Sequence, residues 1–274
     1  MSMNENGKSA SPVTLASIRE MKARGEKFTC LTAYDATFAR IFDAAGVEVL
    51  LVGDSLGMVI QGRETTLPVT LDEMIYHTAC VSRARKRALI MADMPFMSDA
   101  RPHEALRNAA RLMAEGGAHM VKIEGGAVMA ETIQRLAGRG IPVCAHLGLL
   151  PQSVHKIGGY RVQGRDGPTA RRILEDAATL TAAGADMLLL ECVPATLADE
   201  IVASVKVPVI GIGASAACDA QVLVCYDMLG LTPGPRPRFC ENFLAGKDSI
   251  RAAVQDYVQA VKTGRFPASE HLYA

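Results

Sequence analysis

The sequence predicts a single-domain α/β protein, an eight-stranded (β/α)8 TIM barrel with an extra helix at its N-terminus. Three observations predict it. Eight short segments rich in β-branched and apolar residues recur along the chain. Each is followed by a stretch of helical composition, the alternation that builds parallel sheets. The 274 residues also match the usual length of one such barrel, and no run rich in Pro, Gly or Ser divides them. One domain is therefore expected over residues 1–274, with residues 1–13 a flexible polar tail.

The elements follow in order. Residues 14–24 (TLASIREMKAR) form a helix ahead of the first strand, FTCLTAYD (28–35). The second and third strands are VEVLLVGDS (47–55) and ALIMADMPF (88–96). HMVKIEGG (119–126), IPVCAHLGL (141–149) and MLLLECVP (187–194) are the next three, followed by VPVIGIGAS (207–215) and CYDMLGL (225–231). Helical composition between them predicts helices over 70–86, 99–115, 127–139, 168–183 and 195–205, with Thr70, Asp99 and Thr196 as N-caps. Gly116-Gly117, Gly140 and Gly184 stand where helices stop before the next strand. A short helix follows the seventh strand, and 239–263 is the last helix. Two connections, 56–69 and 150–167, are longer than the usual few residues. Both leave strand C-termini, the catalytic face of a barrel, so they are candidate lids or oligomer contacts.

Composition narrows the function. Hydrophobic residues make up 49% of the chain and charged ones 21%, enough apolar surface for a large core. Lys plus Arg and Asp plus Glu are equal at 29 each, so no global field recruits nucleic acid or an anionic membrane, and small-molecule partners are expected. The N-terminal residues lack the apolar run of a signal peptide, and no later stretch is long and apolar enough to span a bilayer. Seven cysteines without a CxxC pair predict reduced thiols and a cytoplasmic protein.

Otherwise apolar strands finish in charged groups: Asp54, Asp93, Lys122 with Glu124, His146 and Glu191. Any one of them is compatible with a helix cap or a satisfied structural polar group. Together they fall at the same end of successive strands, where barrel enzymes assemble chemistry from several loops. Lys122 and Glu124 are two positions apart, so the pleat sends both to one side. Carboxylates without a Cys/His cluster form an oxygen-rich environment suited to Mg²⁺ or Mn²⁺. Asp54, Asp93 and Glu124, on three consecutive strands, are the candidate metal ligands, and Glu191, across the mouth, is the candidate proton carrier. GIGAS (211–215) is better read as tight strand-to-helix packing than as a phosphate cradle. Cys144 and Cys192 show no nucleophile-and-base arrangement and read as small buried hydrophobes.

The motifs TAYD (32–35), VGDSLG (52–57), TLPVT (66–70), ADMPF (92–96), VKIEGG (121–126), HLGLLPQS (146–153), GGYRVQGR (158–165), LECVP (190–194) and GIGA (211–214) then give a specific likeness. In this order, from about residue 14 to the last helix, the chain closely resembles the 3-methyl-2-oxobutanoate (ketopantoate) hydroxymethyltransferase family. The resemblance implies transfer of a hydroxymethyl group from 5,10-methylenetetrahydrofolate to 3-methyl-2-oxobutanoate, giving 2-dehydropantoate for pantothenate and coenzyme A biosynthesis. It implies one Mg²⁺ per subunit, a Mg²⁺-stabilised enolate, and a homo-oligomer, often a homodecamer. By position, Asp54, Asp93 and Glu124 are the implied metal ligands, and Asp54, Ser55, Asp93 and Lys122 the implied substrate contacts. His146, in a motif that accompanies the site, goes with the substrate group, and Glu191 is the implied proton acceptor. Ala145 and Leu150 depart from common family residues, as does Ser215, which stands where the family's GIGAG has its last Gly. A side chain at 215 restricts a left-handed turn or narrows that loop, which makes the fit of folate the property to examine there. The alternatives are a carbon–carbon or carbon–phosphorus lyase or mutase acting on oxo acids, and a barrel that binds a metabolite without turnover.

Overall fold

The computed structural model describes residues 11–274. Most of the expected tail, residues 1–10, lies outside the described residues. At its end the backbone N–H of Val13 donates to the Arg87 carbonyl at 2.7 Å, tying the chain to the barrel.

Eight parallel strands close into one barrel in sequence order. They are β1 (Phe28–Thr32), β2 (Val49–Val52), β3 (Leu89–Asp93), β4 (Met120–Glu124), β5 (Val143–Gly148), β6 (Met187–Glu191), β7 (Val209–Ile212) and β8 (Ala220–Leu223). Pairing of Phe28 with Ala220 brings β8 back to β1. The pleat sorts alternate residues: Cys30, Val49, Leu51, Met91, Met120, Cys144 and Leu189 fill the interior, while Leu31, Leu50, Ile90, Val121, Ala145 and Leu188 meet the surrounding helices. The helix Leu15–Ala23, opened by a capping box between Thr14 and Ser17, packs Ile18 against the interior cluster.

Register positions the site. Asp93 pairs with Lys122, Glu124 with His146, and Gly148 with Glu191, so chemistry-bearing residues on neighbouring strands end level with one another. Asp93, Glu124, His146 and Glu191 follow the interior-facing residues Met91, Met120, Cys144 and Leu189 by an even number of positions, so all rise above the packed interior.

Seven strands, the first helix and the helices near 70–86, 99–115, 127–139, 168–183 and 195–205 match the sequence reading, with shifted ends. Thr70 caps the helix Leu71–Ala84 in a capping box with Glu73. Gly117 and Gly184, at φ 76° and 110°, follow helix ends as expected. Four expectations are corrected. The eighth strand is Ala220–Leu223 rather than 225–231, and Cys225–Met228 is a helical turn. No helix follows β7, because residues 213–219 turn straight into β8. The last helix is Ile250–Lys262, opened by Ser249, so 239–249 is irregular. Asp99 and Thr196 are not N-caps: Arg101 and Pro194 occupy those positions. In the helix Pro102–Ala114, which Arg101 precedes, Pro102 provides a favourable first-turn residue without a side-chain cap. All seven cysteines are free thiols, and among the described residues no helix is long and apolar enough to cross a membrane.

Candidate active site

The strand ends carry a buried charged cluster at the floor of a cavity of about 320 Å³. Asp54 and Ser55 leave β2 in a tight turn, and the Asp54 N–H donates to Asp93 Oδ2 at 3.0 Å. Gly53 permits this approach, since a Cβ there would sit 2.7 Å from Ser55 Oγ and 3.5 Å from Asp93 Oδ2. Ser55 Oγ is hydrogen-bonded to the Tyr34 hydroxyl at 2.8 Å. Lys122 Nζ lies 3.1 Å from Asp93 Oδ1, 3.7 Å from Glu124 Oε1 and 3.2 Å from His146 Nδ1. His146 spans the cluster, its Nδ1 3.5 Å from Glu124 Oε1 and its Nε2 3.3 Å from Glu191 Oε2. Glu191 is the most open of these groups, with 16% of its side chain accessible.

The backbone beyond Glu191 is unusual. Cys192 adopts φ 47°, a left-handed conformation rare for a residue with a side chain. Two hydrogen bonds of 2.9 Å hold it: its N–H donates to the Ile212 carbonyl, and its carbonyl accepts from the Gln163 N–H. Strain retained by its surroundings beside a candidate base fits a functional position.

Burial and charge set the electrostatics. Burial pushes the Asp54 carboxyl well above its ordinary range, and the charges of Asp93 and Glu124 push it further. Asp93 is also raised by burial, partly offset by Lys122. Burial pulls Lys122 down, but the surrounding carboxylates outweigh it and leave the ammonium strongly favoured. Glu124 resists the upward pull of burial through His146, Lys122 and the Gln152 N–H, and ends lowered. His146 ends raised: burial and Lys122 disfavour its cation, and its hydrogen bonds to Glu124 and Glu191 overcome them.

With Asp54, Asp93 and Glu124 all ionised and His146 neutral, three carboxylates against one lysine leave two negative charges in excess, a balance that a divalent cation would correct. Asp93 Oδ1 and Glu124 Oε1 are buried oxygens held only by their ion-pair contacts with Lys122 and His146, so acceptor capacity remains. Asp54 and Asp93 are brought together directly, whereas Glu124 is engaged by Lys122, His146 and Gln152. Among the described residues, no three His, Cys, Asp or Glu side chains stand as a complete metal centre. The oxygen donors and the charge excess fit a hard divalent cation.

Gln152 and Tyr34 were not singled out from the sequence. Gln152 Nε2 donates to Asp54 Oδ2 at 2.8 Å and to the Met94 carbonyl at 2.9 Å, while its backbone N–H donates to Glu124 Oε2 at 3.0 Å. It thus braces two of the three candidate metal ligands. The signal available was its place in HLGLLPQS, on a long connection after β5. That connection meets the one after β2, where the Tyr160 hydroxyl donates to Met58 Sδ at 3.3 Å. Both residues line the cavity.

Ser215 is accommodated within its own turn. It has no positive φ, and its buried hydroxyl donates to Asp199 and accepts from the Ala217 N–H at 3.0 Å. It is absent from the cavity wall. Cys144 is a buried thiol pushed up to about 12 by burial, and burial raises Cys192 as well, as inert hydrophobes require.

A family model described as ketopantoate hydroxymethyltransferase matches residues 12–269. A 3-methyl-2-oxobutanoate hydroxymethyltransferase of Nitrosococcus oceani is 61% identical over 261 residues, covering 95% of this chain and 99% of the relative. One from Alkalilimnicola ehrlichii is also 61% identical, covering 96% of this chain and 95% of the relative. Among solved structures, a phosphoenolpyruvate phosphomutase from Streptomyces platensis aligns with a TM-score of 0.61 at 17% identity, covering 95% of this chain and 92% of the other. A phosphonopyruvate hydrolase solved with oxalate and Mg²⁺ aligns with a TM-score of 0.59 at 12% identity, covering 94% and 92%. At that identity these two share the fold alone.

Proposed function

The chain belongs to the ketopantoate hydroxymethyltransferase family, and from that premise we propose that it transfers a hydroxymethyl group from 5,10-methylenetetrahydrofolate to 3-methyl-2-oxobutanoate, forming 2-dehydropantoate. The observation that carries the mechanism is the chain of contacts from Asp54 and Asp93 through Lys122 and Glu124 to His146 and Glu191.

Asp54, Asp93 and Glu124 would hold one Mg²⁺, whose chemistry is that of a Lewis acid polarising the ketone and offsetting enolate charge. Lys122 Nζ and Ser55 Oγ orient the carboxylate of the oxo acid, the ammonium kept charged by the carboxylates around it. Glu191 Oε accepts the C3 proton, and its exposure beside an otherwise buried cluster suits a group that exchanges protons with solvent. His146 Nε2 steadies Glu191 while Nδ1 faces Glu124 and Lys122, so the imidazole is a positioning group. Water adds to the folate-borne methylene and its two C–N bonds break, freeing tetrahydrofolate and formaldehyde; the C3 nucleophile then attacks the formaldehyde carbon, and the carbonyl oxygen takes up a proton to become the new hydroxyl. Burial of Asp54 and Asp93 keeps the enolising centre dry while Glu191 remains at its edge.

The test is product formation. Purified protein should convert 3-methyl-2-oxobutanoate to 2-dehydropantoate only with 5,10-methylenetetrahydrofolate, and chelation should abolish turnover until Mg²⁺ is restored. No product with both substrates and Mg²⁺ would refute the activity, and undiminished turnover after chelation would refute the role of the cation.

A further inference from the structure

The charged cluster occupies the mouth over β2 to β6, and the rest of the cavity wall is different. Ile212, Val222, Val224, Pro235, Pro237 and Phe239 make an apolar wall there, contributed by β7, β8 and the irregular segment after β8. One charged side chain stands in that wall. Among the described residues, Asp227, in the helical turn Cys225–Met228, is the only charged one lining the cavity outside the cluster of Asp54, Asp93, Lys122, Glu124, His146 and Glu191. The Thr232 hydroxyl donates to Asp227 Oδ1, fixing the carboxylate and leaving acceptor capacity on Oδ2. Burial raises the Asp227 carboxyl while the Thr232 bond opposes it, as for a carboxylate held in an apolar wall without a counter-cation.

An apolar slot with a single carboxylate suits a flat heterocycle that offers two parallel N–H donors on one edge. The 2-amino group and N3–H of a reduced pterin form such a pair, and a carboxylate accepts it bidentately as it accepts a guanidinium. We infer that Asp227 is the specificity residue for the pterin ring of the one-carbon donor, with Thr232 holding its carboxylate and Phe239 and the prolines flanking the ring. This rests on the proposed use of a folate cosubstrate and says which wall of the cavity receives it. Arg236 and Arg238 stand exposed on either side of Pro237, and Arg236 has no ion pair or hydrogen bond among the described residues. They offer positive charge beside the slot to the anionic tail of the donor.

The experiment is steady-state kinetics of Asp227→Asn with each substrate varied in turn, together with tetrahydrofolate binding by calorimetry on the Mg²⁺-loaded protein. The expected result is a rise in KM for 5,10-methylenetetrahydrofolate, and a matching loss of tetrahydrofolate affinity, of about tenfold to a hundredfold, the range for a hydrogen bond to a charged group. The accompanying change in folate-free exchange of the substrate C3 proton should be at least tenfold smaller. Thr232→Val, which frees the carboxylate without removing it, should produce a smaller rise in the same KM. The inference is overturned if Asp227→Asn leaves the folate KM within twofold of wild type, or if C3 exchange falls as much as folate affinity. An unfolded Asp227→Asn would be replaced by Asp227→Glu, for which an unchanged folate KM is equally fatal. Wild-type protein that neither exchanges C3 protons nor forms product would remove the underlying function as well, an outcome distinct from normal turnover with an insensitive Asp227.

Discussion

Replacing Lys122 by Met isolates its charge from its packing. The ammonium is buried against Asp93 at 3.1 Å and Glu124 at 3.7 Å, with Asp54 adding to the field. Removing one partner from a buried ionic group leaves uncompensated charge and costs about 3–5 kcal/mol. At about 2–4 °C per kcal/mol for a chain of this size class, Lys122→Met should melt about 6–20 °C below wild type at pH 8 in chelator. The pH dependence has a definite sign. Asp54 and Asp93 have folded pKa values above their unfolded ones, so they are least destabilising at low pH, and stability is lost as pH rises through their folded values. Loss of Lys122 raises those values further, so the deficit should shrink as pH falls toward 5.5. Mg²⁺ should raise the melting temperature of the variant, because a cation replaces part of the missing charge. Thermal unfolding at pH 8 and pH 5.5, with and without Mg²⁺, measures all three effects. A deficit under about 2 °C at pH 8, or one independent of pH, would refute the electrostatic account of the cluster.

Asp99, buried after β3, has its carboxyl raised to about 6 from 3.8, chiefly by burial. Its stabilising protonated state is present below the unfolded value and lost as pH rises through the folded one, so Asp99→Asn should stabilise the protein by up to about 3 kcal/mol at pH 8 and little near pH 4; urea unfolding at the two pH values checks this. Gln152→Ala removes the bonds to Asp54 and the Met94 carbonyl. Loss of such a brace should weaken Mn²⁺ binding, followed by electron paramagnetic resonance, by about 10- to 100-fold, and unchanged affinity would separate Asp54 from the metal.

The legible parts of the molecule were those written in local chemistry. Seven strands announced themselves as apolar runs, and the strand-end charges stood out because such groups are costly to bury. β8 was hidden because Gln221 breaks its apolar run: this residue is buried by donating to the Ser215 carbonyl at 2.9 Å, while its own carbonyl accepts from Tyr257 at 2.8 Å. Those partners come from other turns of the chain, which no local pattern reports. The same shift placed 225–231 on a strand and so concealed Asp227 and Thr232 as residues of one loop wall. Gln152 was obscured for a related reason, since its three contacts depend on where a long connection lies over β2, β3 and β4. Ser215 is the opposite case: a departure in a glycine-rich motif stood out in the sequence, and a neighbouring helix accommodates its hydroxyl through Asp199.

The central claim is that Glu191 removes the C3 proton at a site organised by the buried cluster. Its most direct test is proton NMR of 3-methyl-2-oxobutanoate in D₂O with Mg²⁺-loaded protein, comparing wild type with Glu191→Gln. The C3 proton signal should disappear with wild type, and the variant should be slower by about 10²–10⁴-fold, the contribution of a well-placed general base. Equal exchange rates in the two proteins would contradict the assignment.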